Sequence, residues 1–184
     1  MEIKIGTSQI LKVLYVLSWI IFTGLCIQAG GIFFNTFFTL VYKPEGARHF
    51  WQEIDLSAIY RYDSGHFTAV AVLICIVAVL KAILFYLILK LLHDKKLDLS
   101  QPFNLAVKRF ILNVSYLTLG IGLFSFWGAN YSQWLVKQGV MLPDPGKLLI
   151  GGADVWLFMS VTLFVIAQIF KKGIEIQTEN ELTV

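Results

Sequence analysis

The feature that most limits this chain is residues 13–42, thirty in a row without an Asp, Glu, Lys or Arg. As a helix that run is about 45 Å long, more than the roughly 30 Å of a hydrocarbon core requires. It must tilt, bend at Gly30 and Gly31, or carry its aromatic far end (Phe33, Phe34, Phe37, Phe38) beyond the core. Three more apolar runs follow, at 67–92, 110–126 and 148–170. Each is close to the ~20 residues a crossing needs. The sequence therefore predicts an all-α fold, a four-helix bundle in a membrane, with residues 1–184 forming one domain.

Composition agrees: 57% of the residues are hydrophobic and 15% charged, against about 45–50% and 25% in soluble domains. The four runs leave too little chain for a separate soluble domain of ordinary size. The first run exceeds a signal-peptide core, and no small-residue cleavage site follows it closely, so it reads as a retained span.

The net charge of +3 is distributed as topology, not as a nucleic-acid-binding patch. Lys4, Lys12, Lys90, Lys95, Lys96, Lys108, Arg109, Lys171 and Lys172 fall on one side of the predicted spans. Lys43, Arg48, Arg61, Lys137 and Lys147 fall on the other. Nine basic residues against five place both termini in the cytoplasm by the positive-inside rule. The loop 93–109 and the tail 171–184 are then cytoplasmic, and 43–66 is an outer loop. That loop is long for a plain connection, and residues 50–59 read as a short amphipathic surface helix. Pro143, Asp144, Pro145 and Gly146 read as a turn before the last span.

Two ionisable residues fall inside spans. Lys81 either faces a cavity, where it binds an anion or carries a proton, or snorkels to the cytoplasmic headgroups along its stem. Asp154, near the start of the fourth span, either caps that helix or forms part of an ion or proton site. The two are offset by about 12 Å in depth at 1.5 Å per residue, too far for a direct pair unless the helices shift. Ala71, Cys75, Ala78 and Ala82 make a stripe of small residues on one helix face, and Thr118 and Gly122 make another, which suits close helix approach in lipid. Gln28 and Asn35 are candidates for interhelical hydrogen bonds. Cys26 and Cys75 read as small packing residues.

No catalytic motif is present. There is no Ser-x-x-Lys, nucleophile elbow, His-Glu-x-x-His or phosphate-binding glycine loop. His49, His66 and His93 lack metal-ligand spacing, although Glu45, Glu53, Asp55 and Asp63 lie near the first two. The expectation is a non-enzyme with no cofactor and no metal. In the tail, Ile174, Ile176, Leu182 and Val184 alternate with polar and acidic residues. That is a strand period, but a frayed acidic tail and a continuation of the fourth helix remain open alternatives.

Ala167-Gln168-Ile169-Phe170-Lys171-Lys172-Gly173, then Ile176-Gln177, then Glu179-Asn180-Glu181-Leu182-Thr183-Val184, resemble the carboxyl end of the bacterial domain-of-unknown-function family 2975. Gln101-Pro102-Phe103-Asn104, with Val107, Arg109 and Ile111, resembles its signature between the second and third spans. The resemblance covers nearly the whole chain, with no matching motif in 43–66. It implies a multi-pass protein of a bacterial inner membrane, often encoded beside a small helix-turn-helix regulator, and carries over no catalytic residues. Two functions follow as expectations. The first is a membrane-embedded regulator or sensor whose cytoplasmic face binds a soluble partner, such as that regulator, through Pro102, Phe103, Glu179, Asn180, Glu181, Leu182, Thr183 and Val184. The second is a small transporter, or a lipid- or small-molecule-binding protein, using a cavity near Lys81. The bilayer and a second copy of the chain are further candidate partners; direct nucleic-acid binding is not expected.

Overall fold

The structure is a computed structural model that describes residues 7–52, 54–94 and 103–182. Helix α1 is Thr7–Val41, followed by a 3-10 helix at Pro44–His49 and a short α2 at Ser57–Tyr62. Three long helices follow: α3, Ser64–His93; α4, Leu105–Lys137; and α5, Ala153–Leu182. The four long helices are long and apolar enough to cross a membrane. Among the described residues there is no strand, only an isolated bridge between Trp51 and Ile54. The fold is all-α, and the chain is a multi-pass membrane protein by the length and apolarity of its helices.

Local chemistry sets the helix ends. Asp63 caps α3 by accepting the His66 N–H at 2.9 Å, and Asn104 caps α4 by accepting the Val107 N–H at 2.9 Å. Helix α4 does not stop where the apolar run stops, near residue 126; it continues to Lys137. It ends in a Schellman turn, with Val140 N–H donating to Leu135 O and Gly139 N–H to Val136 O. Gly139 supplies the left-handed residue this needs, at φ +88°. Helix α5 starts after Gly152, also left-handed at φ +72°, and Asp154 lies in its first turn.

Packing follows chain order: α1 on α3, α3 on α4, α4 on α5. The antiparallel succession brings the start of α1 and the end of α5 to one end of the molecule, the terminal end. The small-residue stripes do what their spacing implies. Ala71, Ala78 and Ala82 are buried on α3. On α4, Ser115, Thr118, Gly122, Ser125, Gly128 and Ser132 are buried. A Cβ at Gly122 would lie 2.8 Å from the Leu157 side chain, and Ser115 Oγ donates to Ser160 O across the α4–α5 seam at 2.9 Å. Many large apolar side chains on the spans are exposed, among them Ile20, Phe158 and Val161. That is the pattern expected where lipid is the solvent.

The opposite end is a compact head built from residues 43–62 and 138–152. Its core holds Ala47, Phe50, Leu56, Ile59, Leu148 and Ile150, all 0% exposed. Phe67 joins it from α3, with edge contacts to Phe50 and Tyr60 at 5.8 and 5.2 Å. Trp51 lies so close over Gly31 that any Cβ there would collide with its ring. The amphipathic helix expected over 50–59 does not form. The segment makes the Trp51–Ile54 bridge and only then enters α2, because Phe50, Ile54 and Leu56 all turn into the head core. Asn35 donates within its own helix, to Gly31 O at 3.0 Å.

Candidate functional site

At the terminal end, Phe103 immediately precedes the α4 cap Asn104. Its ring meets that of Phe170 edge-on, with centroids 5.3 Å apart. One turn further along α5 is Gly173, where a Cβ would lie 2.5 Å from Phe103 Cδ1. Gly173 is therefore a notch that lets the Phe103 ring rest on the α5 backbone. Phe103 and the 170–173 stretch of α5, about seventy residues apart in sequence, meet here.

Beyond the notch the tail is helix. Residues 174–182 continue α5 to Leu182, so the strand suggested by their alternation does not form. Thr178 Oγ1 donates to Ile174 O at 2.9 Å, and Lys172 pairs with Glu175 at 3.3 Å. Such exposed pairs contribute about 0–1 kcal/mol. Glu179 has an interaction partner. Asn180, Glu181 and Leu182 are placed by backbone only, while Pro102, Thr183 and Val184 lie outside the described residues.

Lys81 sits mid-way along α3 and turns toward the head. Its Nζ donates to Leu149 O at 3.3 Å and lies 5.6 Å from the centroid of the Trp156 ring. This is reachable because the 138–152 segment folds back from the end of α4, which packs Ile150 against Gly128. The accepting residue is unusual: Leu149 has φ +64°, a left-handed conformation that costs a branched side chain energy. Lys81 thus ties α3 to the returning segment and to the first turn of α5. Asp154 is exposed, and among the described residues no ion pair joins it to Lys81.

The profile of the family described as "Protein of unknown function (DUF2975)" matches residues 44–184. That is 141 of the 184 residues. The chain belongs to the DUF2975 family. No curated protein and no solved structure matches it. The match takes in the head, α3, α4, α5 and the tail, and leaves α1 outside.

The head of this DUF2975 protein carries a cleft of about 680 Å³ lined by Gln52, Asp55, Asp144, Lys147 and Leu149. A second cleft, of about 570 Å³, adjoins it through Asp55 and Pro143 and reaches Ser57 and Arg61. Asp55 accepts the Ser57 N–H at 2.8 Å. Hydrogen bonding from Ser57 holds its carboxyl below the ordinary range, against the opposing effect of desolvation and with a lesser contribution from the Arg48 and Arg61 charges. Leu149 therefore both lines the head cleft and accepts a hydrogen bond from Lys81.

Sequence reasoning missed the knot that fastens α3 to the α4 extension. His66 Nδ1 hydrogen-bonds the Tyr131 hydroxyl at 2.6 Å, and Trp134 packs edge-on against the His66 ring. The available signal was Trp127, Tyr131 and Trp134 at helical spacing in a stretch that reads as loop by its polarity.

Proposed function

We propose that this DUF2975 protein is a membrane-embedded regulator: its terminal end binds a soluble cytoplasmic partner, and its head receives the input. The observation that carries this reading is Phe103 seated on Gly173. It joins Phe103, at the start of α4, to the end of α5. The surface combines an exposed aromatic ring with the acidic end of α5, whose residues 173–182 hold Glu175, Glu179 and Glu181 and no basic residue. A small basic protein, such as a helix-turn-helix transcription factor, has the complementary charge. The excess of basic residues flanking this end favours its placement in the cytoplasm of a bacterial inner membrane.

The link from Leu149 through Lys81 to Trp156 supports a head that communicates with α5. The same contacts weigh against the alternative, a transport or ligand cavity at Lys81, because the ammonium already has a carbonyl and an aromatic face as partners. No catalytic step belongs to this reading. Replacing Leu182 and Val184 by Asp tests it: partner capture by the full chain is expected to disappear, and undiminished capture would remove the tail from the account.

A further inference from the structure

Near the terminal end, residues of α3 and α4 line a groove of about 260 Å³. We propose that it binds the phosphodiester headgroup of an anionic phospholipid. Leu80 packs at Gly120, 3.4 Å from where a Cβ would be. The helices are antiparallel, so seven residues further Leu87 stands level with Asn113, and three more bring Lys90 level with Phe110. Lys90 and Arg109 therefore face each other across the groove at one depth, where the apolar run of α3 ends and that of α4 begins. In a membrane that is the depth of the lipid phosphates.

The chemistry fits that ligand. Arg109 offers a planar fork suited to two phosphate oxygens, Lys90 a point charge, and Asn113 an amide donor. Among the described residues no ion pair or side-chain hydrogen bond engages Lys90 or Arg109. Asp94 also lines the groove. Lys90 and Arg109 supply the positive charge that the phosphodiester anion requires. Leu87 and Phe110 form the apolar part of the wall, where the first carbons of the acyl chains would lie. Basic pockets between spanning helices at the membrane surface are a recurrent lipid-headgroup site.

A soluble phosphate compound would be recognised by the same donors, and the test separates the two. The full chain, purified in a neutral detergent, is titrated with phosphatidylglycerol or phosphatidylcholine, and bound lipid is counted by native mass spectrometry. Phosphatidylglycerol is expected to be retained over phosphatidylcholine, and the Lys90→Gln/Arg109→Gln pair to weaken retention by roughly tenfold. The Lys12→Gln/Lys108→Gln pair, which removes as much charge from the same end, is expected to leave retention unchanged. Arg109→Lys alone is expected to give an intermediate loss, and unchanged circular dichroism confirms that each variant folds. Equal loss in both double variants, or none in the first, overturns the site. Binding of inorganic phosphate at millimolar concentration with displacement of the lipid overturns the lipid and leaves a soluble anion as the ligand.

Discussion

The ammonium of Lys81 donates to the carbonyl of Leu149, sixty-eight residues away in sequence. Leu149 holds that carbonyl in place from a left-handed backbone. One hydrogen bond thus joins the middle of α3 to a segment that also lines the head cleft. Lys81→Met keeps the stem and deletes the donor. We expect it to lower stability by about 0.5–1.5 kcal/mol, the range for one intramolecular hydrogen bond lost, read as a fall in the thermal midpoint in detergent. Lys81→Arg should recover most of the loss.

Leu148 and Leu149 are neighbours with opposite expected responses. Leu148 is 0% exposed, so Leu148→Ala should cost about 2–5 kcal/mol. Leu149→Gly loses side-chain contacts but relieves a left-handed strain of about 1–3 kcal/mol, so its net effect should be within about 1 kcal/mol of zero. Denaturation of the two variants in the same detergent decides this. A cost for Leu149→Gly as large as that for Leu148→Ala would mean that the strain is not there.

The four spans, the small-residue stripes and the family were all legible in the sequence, because apolar length, spacing and short motifs are local signals. The α4 extension was not. Trp127, Asn130, Tyr131 and Gln133 read as loop by composition. What makes them helical is long-range: His66 on Tyr131 and Ile150 on Gly128. The tail misled for a related reason. Its alternation matches a strand, but no strand edge exists among the described residues to receive it. A helix satisfies its own backbone, and Gly173, which should weaken that helix, is where Phe103 packs. For Lys81 the sequence gave depth but not direction, since the segment that meets it returns from the far end of the next helix.

Gly122 faces Leu157 with no room for a side chain. Gly122→Leu should force α4 and α5 apart and cost about 1–3 kcal/mol or more. Gly24, where a Cβ would meet nothing within 4 Å, serves as the comparison: Gly24→Ala should be neutral or slightly stabilising. Thermal unfolding of both variants in one detergent checks the contrast.

Acid should loosen the head through Asp55. Its folded-state carboxyl lies below the ordinary 3.8. The stabilisation is therefore fully present above about pH 4 and is lost as pH falls through the lower folded value. Asp55→Asn should flatten the dependence of Trp51 emission on pH below 4, and Ser57→Ala should shift it upward. An unchanged profile in Asp55→Asn would assign the acid response to another group.

Gly173→Val should push Phe103 off α5 while leaving the helix intact, since valine is a better helix former than glycine by a few tenths of a kcal/mol. The expected outcome is unchanged helicity with reduced partner capture. Retained capture would separate the Phe103 seat from the partner surface.

The most direct test of the regulatory reading is native co-purification. The full chain, tagged at its amino terminus and mildly solubilised from its own cells, is compared with a chain ending at Lys172, and the bound proteins are identified by mass spectrometry. The account predicts that a small DNA-binding protein accompanies the full chain and is absent from the truncated one. Recovery of that protein at equal yield with both chains, or of only lipid and further copies of the chain itself, would contradict it.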